Sequence, residues 1–92
     1  MRRNARVDDN HKEIVDGLRA VKASVQSLAP IGKGCPDILV GYRGVNYVME
    51  IKDGSKPPSK RQLTEDEIGW HRAWCGTVLT VNSLEEAIKA IC

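Results

Sequence analysis

Apolar residues recur along the chain with two different spacings, and each spacing predicts a different kind of element. In the first quarter of the chain they fall at i, i+4, i+7 and i+11, which is the spacing of one helix face. The residues concerned are Ile14, Leu18, Val21 and Val25. We therefore expect a helix over about residues 10–25, capped by Asp8, Asp9 or Asn10, and then a short, weakly alternating strand over 25–28.

Two segments in the middle of the chain are rich in valine, isoleucine and tyrosine, residues that favour strands. They are Ile38–Tyr42 and Val45–Ile51, and the Arg43-Gly44 pair between them predicts a hairpin. The residues that follow, 53–63, are polar and rich in proline, lysine and serine. We therefore expect two adjacent antiparallel strands and then a long exposed connection.

The last third of the chain contains two helix-start signatures. Thr64 with Glu67, and Ser83 with Glu86, both have the spacing of a capping box. In that motif the hydroxyl and the carboxylate each accept a hydrogen bond from an otherwise unpaired amide of the first turn. Two helices are therefore expected after the polar loop, and the buried face of the second is predicted to contain Leu84, Ala87, Ile88 and Ile91.

The first of these helices is expected to run to about Cys75 and to end at Gly76, because glycine is favoured just past a helix C-terminus. The apolar segment Val78–Val81 predicts a further strand, reached by a connection of the length of a right-handed parallel crossover. The predicted order is α-β-β-β-α-β followed by a C-terminal helix. We therefore predict a single α/β domain over residues 1–92, with a mixed sheet and helices on its faces.

The register of the predicted hairpin brings charged residues together. If the strands close symmetrically on the two-residue turn, Asp37 lies opposite Glu50, and Lys52 projects from the same face. A slip of one residue would make the two carboxylates diagonal neighbours instead. The opposite face is then wholly apolar and consists of Ile38, Val40, Tyr42, Val45, Tyr47, Met49 and Ile51.

Two opposed carboxylates repel each other, so their placement calls for a compensating charge. A divalent cation supplies one, and two carboxylates, a carbonyl and waters make a hard oxygen site suited to Mg²⁺. On the same face Lys52 can polarise an attacking water or neutralise charge that develops on a phosphate. The alternative is an edge hairpin whose polar ends lie in solvent, with Glu50 and Lys52 simply flanking it.

Composition excludes several classes of protein. No apolar run approaches the ~20 residues that span a bilayer, and the first residues lack the apolar segment of a secretory signal. We therefore expect no membrane partner and a cytoplasmic location. The three cysteines, Cys35, Cys75 and Cys92, are odd in number and widely spaced, which argues against a disulfide framework and a structural zinc site.

Charge is distributed unevenly. The formal net charge of +2 divides into +3 for residues 1–36, +2 for residues 37–64 and −3 for residues 65–92. Such an asymmetry favours an anionic partner for the first two thirds of the chain. The candidate nucleic-acid contacts there are Lys33, Lys56, Lys60, Arg61 and Gln62, together with the N-terminal arginines Arg2, Arg3 and Arg6.

The runs CPD at residues 35–37 and EIK at residues 50–52 resemble the P-D…(D/E)-x-K signature of the restriction-endonuclease-like nuclease superfamily. Within that superfamily, the G-x-P-D-hydrophobic run and the small size look most like the VRR-NUC (virus-type replication-repair nuclease) family. The resemblance spans nearly the whole chain and includes the helix that follows the hairpin. It implies a restriction-endonuclease-like core of order α-β-β-β-α-β, in agreement with the predicted elements.

The resemblance also implies roles for individual residues. Asp37, Glu50 and the backbone carbonyl of Ile51 would be the metal ligands, with Mg²⁺ as cofactor and Mn²⁺ as a substitute, and Lys52 would be the catalytic lysine. A supporting acid is implied on the first helix, for which Glu13 is the best match. Glu13 lies about 100° from the apolar face of that helix, so it can reach the sheet edge or face solvent.

Three functional hypotheses follow. The resemblance implies a metal-dependent endodeoxyribonuclease that hydrolyses phosphodiester bonds in branched or structured DNA during replication, repair or recombination. A homodimer with two sites would suit a Holliday-junction-like substrate. The second hypothesis is a non-catalytic nucleic-acid-binding module on the same core, and the third is a protein-interaction domain that uses Trp70 and Trp74. For these tryptophans and His71 we expect core packing or a dimer contact rather than base stacking or catalysis.

Overall fold

The computed structural model describes residues 9–92, so the predictions for Asp8 and for Arg2, Arg3 and Arg6 lie outside the described residues. Two single turns of 3₁₀-helix, Ala29–Ile31 and Pro58–Lys60, interrupt the loops. The elements are α1 (His11–Ala20), β1 (Ser24–Ser27), β2 (Ile38–Tyr42), β3 (Val45–Ile51), α2 (Glu65–Ala73), β4 (Val78–Val81) and α3 (Leu84–Ile91).

The four strands form one mixed sheet in the order β1-β2-β3-β4. β1 and β2 pair antiparallel, as do β2 and β3, whereas β4 lies parallel to β3 and is reached through α2. The predicted α/β fold and element order are confirmed. No helix within residues 9–92 has both the length and the apolarity to cross a bilayer.

One face of the sheet forms the hydrophobic core with α1 and α3. The side chains of Ile38, Val40 and Met49 are fully buried there, as strand alternation predicts. Val45 departs from the prediction because it is 48% exposed at the turn end of β3. The helices contribute Ile14 and Leu18 from α1, and Ala87 and Ile91 from α3.

The predicted extent of α1, to about residue 25, was too long, because the helix ends at Ala20. Lys22 adopts a left-handed backbone with φ 78°. Its amide donates to the Arg19 carbonyl, and the Ala23 amide donates to the Leu18 carbonyl. This is a Schellman ending, usually made by glycine, and it turns the chain so that Val25 falls in β1 instead of extending the helix.

The ends of α2 and α3 also differ in part from prediction. The Thr64–Glu67 capping box is present, but α2 ends at Ala73 rather than near Cys75. In α3 the Ser83 hydroxyl accepts a hydrogen bond from the Glu86 amide, as predicted. The Glu86 carboxylate accepts instead from the Asn82 amide, one residue before the cap, so the second capping box is only half formed.

Candidate active site

The predicted hairpin register holds along the whole β2–β3 ladder, from Tyr42 opposite Val45 to Ile38 opposite Met49. Asp37 lies one residue before β2, where the ladder ends. Its amide donates to the Met49 carbonyl at 3.0 Å, and its Oδ2 accepts from the Ile51 amide at 2.6 Å. Asp37 is therefore hydrogen-bonded to Met49 and Ile51, the residues on either side of Glu50. Its carboxylate takes the place of the backbone carbonyl that would accept from the Ile51 amide if β2 were longer.

Glu50 is a carboxyl group removed from solvent, with 2% of the residue exposed. Burial, followed by the neighbouring charge of Asp37, raises the pKa of Glu50 to about 9. The Oε1 atom of Glu50 is buried and has no hydrogen-bond partner within the described part of the chain. A buried polar atom without a partner is costly, so this oxygen is the feature of the site that most needs a ligand.

Lys52 is 9% exposed and its ammonium lies against α2. Its Nζ donates to Glu67 Oε1 at 2.9 Å, and the same oxygen accepts from the Thr64 amide at 2.9 Å. Burial opposes ionisation of Glu67, but the hydrogen bonds from Lys52 and Thr64 outweigh it and lower the pKa of Glu67. One carboxylate therefore both closes the N-terminus of α2 and holds the lysine of the E-x-K motif.

His71 lies one helical turn after Glu67 on α2 and approaches Glu50. Its Nε2 is 3.6 Å from Glu50 Oε1, and the two side chains are 16% and 3% exposed. The distance is too long for a hydrogen bond, and Nε2 has no such partner among the described residues. His71 Nε2 and Glu50 Oε1 therefore face each other without hydrogen-bond partners among the described residues, and a ligand or proton between them would give both atoms a partner.

Asn10 connects the ends of the two parallel strands. It occupies the N-cap position of α1, but its side chain does not cap that helix. Its Nδ2 donates instead to the carbonyls of Lys52 at 3.1 Å and Asn82 at 3.2 Å. The start of α1 is therefore hydrogen-bonded to the backbone at Lys52, the lysine of the E-x-K motif.

The structure does not bring Glu13 into contact with this group. Glu13 is exposed on α1 and lines a surface pocket with Asp53 and Arg61, whereas the carboxylates that raise the pKa of Glu50 are Asp37 and Glu67. The assignment of Glu13 to the site stays a prediction. The acid that lies beside Lys52 and Glu50 is Glu67 of α2, whereas the supporting acid was expected on α1.

The predicted nucleic-acid contacts lie in two loops. Lys33 is exposed in the loop before β2, and Lys60 is exposed in the loop after β3. Arg61 Nε donates to the Lys56 carbonyl at 2.8 Å, and Gln62 Nε2 donates to the Pro58 carbonyl. Lys56 Nζ lies 3.7 Å from Asp9 Oδ2. Arg61 and Gln62 thus shape their own loop, and the nucleic-acid roles of all five residues stay predictions.

The donor set suits a hard divalent cation. Across residues 9–92 no three side chains of the histidine, cysteine, aspartate and glutamate types are grouped as a metal site. A cation here would rest on the carboxylates of Asp37 and Glu50, a backbone carbonyl and water, a set that Mg²⁺ accepts because it keeps several waters. The buried, unpartnered Glu50 Oε1 is the observation that favours this fit. The Ile51 side chain is in the core, so only its backbone is available to a ligand.

Sequence reasoning missed Glu67 and His71 as members of the site. Glu67 was explained by capping, and His71 was assigned to packing, yet no residue of α2 is buried. The available signal was their i, i+4 spacing, which puts both on one helix face. That spacing shows that the two residues share a face of α2, but it does not show that this face lies against Lys52 and Glu50.

One comparison with known proteins found a similar solved structure. No protein-family model and no curated protein matches the chain. A solved structure described as a VRR_NUC domain matches it at 32% sequence identity, over 87% of this chain and 87% of that one, with a TM-score of 0.52. The identity and the coverage, on top of the shared fold, place this chain in the VRR-NUC family.

Proposed function

We propose that this protein is a metal-dependent endodeoxyribonuclease that hydrolyses phosphodiester bonds of branched or structured DNA. The observation that carries the proposal is the buried Glu50 carboxyl group, which lies beside Asp37 with one oxygen unpartnered. Family membership supports it, since the matched structure carries the name of a nuclease domain. The preferred cation is Mg²⁺, with Mn²⁺ as a substitute, because both favour oxygen ligands.

In the proposed mechanism each residue has a separate task. Asp37 and Glu50 would hold the cation, which when bound supplies Lewis-acid stabilisation of the phosphate and a more acidic water. Lys52 would orient the attacking water or neutralise charge that develops on the phosphate oxygens. Glu67 keeps the Lys52 ammonium in place beside the carboxylates through its 2.9 Å hydrogen bond. The protein's own contribution is thus mainly positioning.

The first test is cleavage of duplex, flap and four-way-junction DNA with Mg²⁺, Mn²⁺ or EDTA. We expect cutting only with a divalent cation, and faster cutting of branched substrates. The variants Lys52→Ala and Asp37→Asn should each lose at least about 100-fold in rate, the scale of losing one transition-state contact. Lys89→Ala is the matched control, since this exposed lysine lies in the last turn of α3, away from the site, and its loss should leave the rate near that of the wild type. Retained cutting by both site variants would exclude the mechanism.

The same assay separates the nuclease from a non-catalytic nucleic-acid-binding module. That alternative predicts salt-sensitive DNA binding and no cleavage with any cation. We further propose a homodimer, because a 92-residue chain buries a modest core and two sites suit a junction substrate. Light scattering of the purified protein tests the homodimer, and a monomer that cuts junctions symmetrically would contradict it.

A further inference from the structure

An apolar pocket of about 370 Å³ opens on the same sheet face as Glu50. Its walls are the Leu39–Val48 pair of the hairpin, Trp70 and Trp74 of α2, and Ile31 and Cys35 of the loop before β2. Trp74 is 47% exposed and Ile31 is 63% exposed. Large apolar side chains left at this exposure forgo about 25 cal/mol per Å², so the surface has a cost that a ligand would offset.

The two tryptophans form a flat aromatic surface within this pocket. Their rings are stacked, with centroids 4.7 Å apart and planes 18° from parallel. Of the two roles expected for them from the sequence, core packing or a dimer contact, core packing does not apply, because α2 has no buried residue. A stacked aromatic pair with an exposed member is a platform on which a further planar ring can be placed.

The pocket is continuous with the candidate active site. Val48, which pairs with Leu39, lies two residues before Glu50 on the same face of β3. At 3.3 Å per residue, the two are about 7 Å apart along the strand. Cys35 forms part of the pocket wall and stands two residues before Asp37 in the loop that leads into β2. A ligand that occupies both the pocket and the candidate active site needs a charged group and an apolar planar group. The two groups must be no further apart than the phosphate and the base of one nucleotide.

We propose that the pocket binds an unpaired nucleobase of the DNA strand whose phosphate lies at Asp37 and Glu50, with the base stacked on Trp74. The inference rests on the proposed function and makes its substrate more specific. The DNA must offer an unstacked nucleotide next to the cleaved phosphate, as a flap or a branch point does, because bases inside a duplex already have both faces covered. Stacking of this kind accepts all four bases.

A second protein copy is the other occupant to consider, and the position of the pocket argues against it. A stable protein interface buries about 800 Å² on each partner, so a subunit seated on the pocket would extend well beyond its walls. A subunit seated here would also cover the adjoining carboxylates that have to admit DNA. The pocket therefore suits a small part of a nucleic acid better than it suits a folded partner.

The test uses flap DNA with 2-aminopurine as the unpaired nucleotide next to the junction, bound in EDTA so that no cleavage occurs. Stacking on tryptophan should quench the fluorescence of this base with the wild-type protein. Trp74→Ala should lose most of the quenching and about tenfold in flap affinity, with blunt-duplex affinity unchanged, whereas Trp74→Phe should keep most of both. Ile68→Ala is the matched control, because Ile68 is a 39%-exposed residue of α2 outside the pocket.

Ile31→Ala, on the opposite wall, gives an independent reading if Trp74→Ala is poorly folded by circular dichroism. Undiminished quenching and flap affinity in the folded pocket variants would overturn the proposal. The proposal would also be overturned if the pocket variants differed from the wild type in oligomeric state on light scattering, because a second copy would then be the occupant of the pocket. Cleavage by the wild type is measured separately. If the wild type cuts without Trp74-dependent quenching, only the pocket is refuted; if it shows the quenching but never cuts, the nuclease function is refuted.

Discussion

The two faces of the central sheet are built from alternate residues of the same strands, yet they are held in different ways. On the core face, Met49 and Ile51 are buried among apolar side chains of α1 and α3. On the other face, Glu50 and Lys52 are almost as deeply buried, but the helix that covers them, α2, contributes no buried residue. This face is covered by polar contacts and partly exposed aromatic rings.

The difference separates stability from chemistry. Apolar burial on the core face is nondirectional and holds the sheet together whatever lies opposite. The site face lowers the stability of the fold instead, because it keeps the carboxyl group of Glu50 out of water beside that of Asp37. Alternation along β3 allows one seven-residue strand to serve both purposes. Substitutions of adjacent residues in that strand should therefore have effects of opposite kinds.

The largest stability loss is expected for Met49→Ala. Met49 is fully buried in the core, so the substitution should lower the free energy of unfolding by about 2–5 kcal/mol. Val48→Ala is the matched control one residue away, on the site face, and should cost clearly less because Val48 is only half-buried. Urea unfolding measures both. Equal losses would mean that the two faces are packed alike, contrary to the comparison.

Glu50→Gln should have the opposite effect and stabilise the metal-free protein. The pKa of Glu50 lies near 9 in the folded state and near 4.5 when unfolded, so folding favours its neutral form. Its contribution to stability is complete below pH 4.5 and is lost as pH rises towards 9. At pH 7 the neutral amide should therefore raise the free energy of unfolding by up to about 3 kcal/mol.

Urea unfolding in EDTA between pH 5 and 9 measures this effect. The wild type should lose stability progressively as pH rises, the Gln variant should lose much less, and Mg²⁺ should stabilise the wild type more than the variant. Glu65→Gln, an exposed acid in the first turn of α2, serves as control and should change little. A Gln variant less stable than the wild type at pH 8 would show that the Glu50 carboxylate is already neutralised by other groups.

A third prediction concerns how closely α2 lies over the site. Gly34 has φ 83°, and a Cβ there would overlap the Asp66 carbonyl at the start of α2. Gly32 has φ 70° and open space around it. Both alanine variants carry the strain of a left-handed backbone, so the additional loss in Gly34→Ala measures the helix contact alone. We expect that excess to be about 1–3 kcal/mol, with reduced DNA cleavage, and equal losses in thermal unfolding would refute the contact.

The elements of the fold were predictable because their signals are local. Alternation and turn chemistry gave the hairpin and its register, and the Thr64–Glu67 pattern gave the start of α2. The end of α1 was not predictable in this way, since Lys22 adopts a conformation that glycine usually signals. Tertiary context overrode the local preference at that position.

The site was only half predictable, for a physical reason. Asp37, Glu50 and Lys52 lie on one hairpin, so strand register alone brings them together. Glu67 and His71 reach them across the sheet, and their position depends on how the crossover helix is rotated and seated. Neither the spacing of residues nor their composition encodes that rotation, so the contacts of α2 emerge only in three dimensions.

The smallest expected effect tests this unpredicted contact. Glu67→Gln keeps an oxygen that can accept from Thr64 and Lys52 but removes the charge, so we expect a loss of about 1 kcal/mol at pH 7. The pKa of Glu67 is lowered in the folded protein, so the stability that its charge supplies should disappear as pH falls through that lowered value. Glu67→Ala should lose the cap as well, at every pH. If the Ala variant is less stable than the Gln variant at pH 7 and both cut DNA at the wild-type rate, Glu67 acts only as a cap that lies beside Lys52. A slower Gln variant with an intact helix assigns Glu67 to positioning the lysine.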